Sequence, residues 1–170
     1  LGGGLVLAAR RLPARATVAT VAAYCIVVAA AAAGTAWYRS PDALPSQRAT
    51  TEAVLAAPGP AVTVQSIGAP APLVLGGETN PIRHQMFLTG LAEYVDETEP
   101  GGLAAVAADI ERRRPTFVTM DEPDWYEWVM PTIDRNYRLI GRRNGVTWFA
   151  DRDLSEPVLA EMTRILARDS

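Results

Sequence analysis

Leu103-Ala-Ala-Val-Ala-Ala-Asp-Ile-Glu-Arg-Arg-Arg-Pro-Thr-Phe-Val-Thr-Met120 decides the fold class. Leu103, Val106, Ala107 and Ile110 recur at i, i+3, i+4 and i+7, one face of an amphipathic helix. Pro100–Gly102 opens it, Arg112–Arg114 complement the negative end of its dipole, and Pro115 stops it. Thr116-Phe-Val-Thr-Met120 then reads as a buried strand. A helix feeding directly into an apolar strand is the signature of an α/β unit.

Upstream, Val62-Thr-Val-Gln-Ser-Ile67 alternates and is β-branched, so it predicts a strand ending at Gly68 and the Pro-rich turn Ala69–Pro72. Leu73-Val-Leu75 is a short apolar run before Gly76–Gly77. Glu78 to Thr98 is irregular, with a helical turn or short strand around Gln85–Leu91. Downstream, Asp121 to Met130 is acidic and aromatic and opens a short helix around Trp125–Met130. Tyr137–Arg143 and Val146–Asp151 flank Asn144–Gly145, whose positive φ angles suit a type I′ hairpin turn. Ser155 caps a last helix, with Pro157 in its first turn and Val158, Leu159, Met162, Ile165 and Leu166 facing the core. The order strand, helix, strand, helix, hairpin, helix predicts a small two-layer or three-layer α/β domain starting at Ala61. No internal repeat is present.

Ahead of that domain, Ser40 to Pro60 is rich in Pro, Ala, Ser and Thr and reads as an extended linker, with one helical turn or two at Thr51–Ala57. Ahead of the linker, Ala16 to Tyr38 is a run of 23 residues without charge. At ~1.5 Å per residue it matches the ~30 Å hydrocarbon core of a bilayer. Arg10, Arg11 and Arg15 precede it and Trp37–Tyr38 close it. A basic flank, a span and an aromatic belt place residues after about 39 outside the cytoplasm. Residues 1–15 read as the end of a preceding apolar helix and an Arg-rich cytoplasmic turn containing Pro13, so the chain is read as a fragment of a polytopic protein. The competing reading is a secretory signal peptide cleaved near Ala31–Ala36. The apolar run exceeds the ~7–15 residues of such a segment.

All 19 acidic residues lie beyond Arg39 against 12 of the 16 basic residues, so the outer part carries −7 while the first 39 residues carry +4. Such an acidic domain is a poor nucleic-acid binder, since phosphate contacts need clustered cations. Lysine is absent and alanine abundant, the codon bias of a GC-rich genome. The single cysteine, Cys25, falls mid-span and allows no intramolecular disulfide. About 130 residues remain after the span, enough for one domain with its own core.

Two segments offer binding groups. Asn80-Pro-Ile-Arg-His-Gln85 is an irregular polar loop with the only histidine, which makes Asn80, Arg83 and His84 candidate ligand contacts. One histidine without ligand-spaced partners predicts no metal site. Asp121-Glu-Pro-Asp-Trp-Tyr-Glu-Trp128 combines four carboxylates with three aromatics at a strand's end, where open α/β sheets bind ligands. Asp121, Asp124 and Trp125 are its candidate residues, suited to a sugar. An acid-rich helix start with inward-packed aromatics would read the same way. Neither a phosphate-binding glycine motif nor a Gly-x-Ser-x-Gly elbow occurs, so no cofactor and no catalytic residue is assigned.

The order of parts resembles the C-terminal end of bacterial multi-spanning GT-C glycosyltransferases, relatives of protein mannosyltransferases and lipid A aminoarabinose transferases. The resemblance rests on a last span, a Pro-rich linker, a strand ending in Gly, Leu88-Thr-Gly90, Ile110-Glu-Arg-Arg-Arg-Pro-Thr-Phe-Val118, Tyr137-Arg-Leu-Ile140 and Val146-Thr-Trp-Phe149. It covers most of residues 16–151. It implies transfer of a sugar from a polyprenyl-phosphate donor to an acceptor glycan or protein, with inversion. The family's catalytic Asp lies in a first extracytoplasmic loop that this sequence does not contain, so no catalytic residue carries over. The outer domain would cover the membrane cavity or assist acceptor binding. The alternatives are a single-pass anchored domain that binds a ligand or partner, and an exported hydrolase built on the Asp121–Glu127 cluster.

Overall fold

A computed structural model describes residues 14–38, 43–88 and 90–168. The expectations for residues 1–13, for the start of the linker at 39–42 and for Thr89 lie outside the described residues. The chain divides into two units at Leu44/Pro45.

In the first unit a helix, α1, runs over Ala14–Tyr38, 25 residues with no charge after Arg15. Val18, Val21, Tyr24, Ile26, Val27 and Val28 are all exposed on it, and these positions point around the whole helix rather than along one stripe. Among the described residues no helix is long and apolar enough to cross a membrane.

The second unit is mixed α/β, built on one four-stranded sheet. Its elements are α2 (Ala43–Ala56), β1 (Val64–Ile67), α3 (Ala71–Gly76), α4 (Leu91–Thr98), α5 (Gly102–Arg113), β2 (Phe117–Met120), a 3₁₀ turn (Pro123–Trp125), α6 (Met130–Asn136), β3 (Tyr137–Arg143), β4 (Val146–Asp151) and α7 (Glu156–Ala167). The strand order is β1-β2-β4-β3. β1 and β2 are parallel, joined by a crossover through α3, α4 and α5, while β4 runs antiparallel to both of its neighbours.

Both faces of the sheet are covered, which makes three layers. Ile67, Val118, Met120 and Phe149 pack with Val95, Val106, Ile110 and Ile133 from α4, α5 and α6. Val64, Phe117, Trp148 and Ala150 pack with Val54 of α2, Leu73 of α3 and Leu159, Met162 and Leu166 of α7. Every residue of β1 and β2 is buried, which explains why β2 reads as a continuous apolar run rather than an alternating one. The hairpin forms as expected, with φ 53° at Asn144 and 76° at Gly145. A bulge between Leu139 and Gly141 shifts its register.

Four expectations are corrected. The described part of the linker is not extended: α2 occupies 14 residues, and its Val54 and Leu55 lie in the core, so the folded unit starts well before Ala61. Pro45 falls in the first turn of α2, where no amide hydrogen bond is lost. The Pro-rich turn Ala69–Pro72 gives way at Ala71 to a short helix, which takes in the apolar run Leu73–Leu75. Gln85–Leu88 has no regular structure, and the regular element is the helix from Leu91. Trp125–Met130 is not a helix either: a 3₁₀ turn ends at Trp125 and the α-helix begins at Met130, with Pro131 in its first turn.

Arg112–Arg114 do more than complement a dipole. Arg112 and Arg113 pair back to Asp109, but Arg114 leaves the helix in the left-handed region at φ 46°. Its guanidinium reaches Asp151 at the end of β4, Asp153 just beyond it and Asn136 of α6. One side chain thus ties α5 to both neighbouring elements.

Candidate functional site at the strand ends

The parallel strands β1 and β2 release two loops, residues 68–90 and 121–129, at their carboxyl ends. Gly68 is where they meet. It has φ 76°, its amide donates to the Gln85 carbonyl at 2.8 Å, and it lies against the Tyr126 hydroxyl and the Asp121 carboxylate. A Cβ there would overlap both groups. The rings of Phe87 and Trp128, 4.9 Å apart, join the loops a second time.

Each predicted residue has a definite place. Asn80 accepts from the Ser66 amide at 2.9 Å and donates to the carbonyls of Ser66 (3.4 Å) and His84 (3.3 Å), acting as a clamp on the end of β1. His84 Nε2 lies 2.9 Å from Glu99 Oε1, and the exposed Arg83 guanidinium is 3.2 Å from the same oxygen. Arg83, His84 and Glu99 rim a cleft floored by Ile82 and Val106. Asp121 accepts from the Tyr126 hydroxyl at 2.7 Å and the Glu122 amide at 2.8 Å. Asp124 stands on a different cleft with Glu127 and Asp134, over Pro123, Met130 and Pro131. Trp125 is 64% exposed and edges a third depression with Phe87, Leu88, Ala92 and Glu93.

The polar loop and the acidic segment are therefore neighbours, but their candidate side chains do not converge on one point. Asp121 and Asp124 in particular serve separate surroundings. Burial, then the bond to Asp121 and its charge, push the Tyr126 hydroxyl well above the ordinary tyrosine range. That hydroxyl stays protonated at neutral pH and donates to Asp121, which ties the 3₁₀ turn to the end of β2. Tyr137 is raised likewise, by burial and by Asp151, against an opposing effect from Arg114. Among the described residues no three His, Cys, Asp or Glu side chains are placed to hold one metal ion.

Glu99 and Tyr126 are the contacts that sequence reasoning missed. Tyr126 sits five residues from its partner inside the quoted segment. Glu99 is 15 residues from His84 and meets it only after the chain has passed through α4. Comparison with protein-family models, curated proteins and solved structures gives no match.

Proposed function

We propose that this chain is the last span and outer domain of a polytopic membrane glycosyltransferase that uses a polyprenyl-phosphate sugar donor. The acceptor is a glycan or protein outside the cytoplasm, and the sugar-transferring residues belong to upstream spans. The outer domain covers the reaction cavity or steadies the acceptor. The observation that carries this reading is α1, a helix uncharged from Ala16 to Tyr38 that leads into an acidic α/β unit. An apolar helix without a polar face needs either a protein interior or a bilayer around it. Leu88, Leu91, Tyr94 and Trp125, exposed beside the strand ends, support the covering role. The transferase chemistry itself rests on the sequence resemblance.

A second reading, a single-pass anchored domain that binds a ligand without catalysis, draws on the acidic cleft at Asp124, Glu127 and Asp134.

Both readings require α1 in the bilayer. In intact, right-side-out membranes a membrane-impermeant maleimide leaves Cys25 unmodified until detergent is added. Ala167→Cys, at the exposed end of α7 and in a Cys25→Ala background, reacts from the outside at once. Reaction of Cys25 in intact membranes, or of Ala167→Cys only after permeabilisation, would remove the membrane reading.

A further inference from the structure

One group of large apolar side chains beside the strand ends has no covering element among the described residues. Leu88, Leu91, Tyr94 and Trp125 are each at least 40% exposed. Leu88 and Trp125 border one open depression with Ala92 and Glu93. Leu91 and Tyr94 adjoin it, three residues apart on α4. Exposed aromatic residues grouped with leucine mark a contact surface rather than ordinary exposed surface.

The charge around this surface has one sign. Residues 86–99 carry four carboxylates and residues 121–134 carry five, with no basic residue in either segment. Five of these carboxylates are used inside the fold. Glu93 accepts from the Gly90 amide, Asp96 from the Leu103 amide and Asp121 from Tyr126, while Glu99 and Glu122 pair with Arg83 and Arg142. The other four, Glu97, Asp124, Glu127 and Asp134, are exposed and hold no partner among the described residues. Glu97 follows Leu91 and Tyr94 in a row at three-residue spacing, and Asp124 and Glu127 lie on either side of Trp125 in sequence.

We infer that this surface docks an amphipathic segment of a partner protein, whose apolar side is bordered by arginine or lysine. Charge decides among the occupants that an apolar surface can take. A face that docks on lipid borders its apolar residues with Lys and Arg, which anionic headgroups attract. This one borders them with carboxylates, which the same headgroups repel. A second copy of the chain would bring like charges to the contact. Only a cationic segment gains from both features. The leucines, Tyr94 and Trp125 take its apolar side, and the free carboxylates take its cations. The partner occupies the surface that supports the covering role, whether or not the chain transfers sugar.

The full chain in phosphatidylcholine nanodiscs tests this, with Cys25→Ala and a fluorophore on Thr98→Cys, one turn beyond Tyr94. The probe is a synthetic amphipathic helix of leucine and lysine that carries a quencher. It quenches the label saturably, and the same peptide with glutamate in place of lysine does not. Leu91→Ser combined with Trp125→Ser weakens binding by about tenfold or more. Glu97→Gln combined with Asp124→Gln and Glu127→Gln does the same and removes most of the salt dependence. Leu139→Ser, at an exposed leucine on the sheet's edge strand, changes nothing. All these positions are exposed, so each variant keeps the circular dichroism of the parent. No saturable quenching overturns the inference, as does quenching that survives both sets of substitutions or equal binding of the glutamate peptide. Quenching by nitroxide-bearing phosphatidylcholine in the absence of peptide assigns the surface to the bilayer and overturns it too. Sugar transfer is not read, so failure here is distinct from failure of the transferase reading.

Discussion

Gly68→Ala destabilises the folded unit by about 2–4 kcal/mol, measured as a fall in the urea midpoint at unchanged slope. Two costs combine. A non-glycine residue at φ 76° sits in the left-handed region, which costs about 1–2 kcal/mol. The new Cβ also overlaps the Tyr126 hydroxyl and the Asp121 carboxylate, so the bond between them must give way inside the fold. Gly77→Ala is the control. Gly77 has a similar φ of 70°, but a Cβ there meets nothing within 4 Å, so only the backbone cost of about 1–2 kcal/mol remains. Combining Gly68→Ala with Tyr126→Phe costs less than the sum of the two, because removing the hydroxyl makes room for the methyl group. Equal effects at Gly68 and Gly77 would show that the two loops do not meet as described.

Val54→Asp unfolds the unit or lowers its stability by more than about 3 kcal/mol, the cost of burying an unpaired charge. Val54 is fully buried on α2, against the sheet face that also receives Leu73 and α7. Were residues 43–56 a linker, the same substitution would change stability by no more than about 0.5 kcal/mol. Thermal unfolding followed by circular dichroism separates the two outcomes. Ser46→Asp, on the exposed side of the same helix, is nearly neutral.

These two sites show what the sequence makes readable. The α5–β2 unit, the hairpin and α7 are legible because each signal is local. A 3.6-residue apolar period, an Asn-Gly turn and a Ser-x-Pro helix start act within a few residues. α2 escapes this kind of reading. Its Pro45, the flanking Pro41, Pro58 and Pro60, and its Ser and Thr residues belong to loop vocabulary, and Val54 and Leu55 are too few to set a period. Burial against distant strands, not propensity, holds it in place. In the acidic segment Pro123 and Pro131 move the helix start to Met130, because proline favours first turns, so the acids precede the helix rather than open it.

The candidate site follows the same division. The strand-end loops are legible as polar segments, and they are adjacent in the fold. The pairing of His84 with Glu99 and the commitment of Asp121 to Tyr126 are not, since both depend on how α4 and the 3₁₀ turn pack.

The central claim is that this outer domain belongs to a polytopic transferase. The mass of the native protein, extracted from its own membranes and detected with an antibody to residues 45–168, tests it most directly. A species far larger than 18.2 kDa, enzymatically tied to a polyprenyl-phosphate sugar, is the predicted result. A species at 18.2 kDa contradicts the transferase account and leaves the anchored ligand-binding domain in its place.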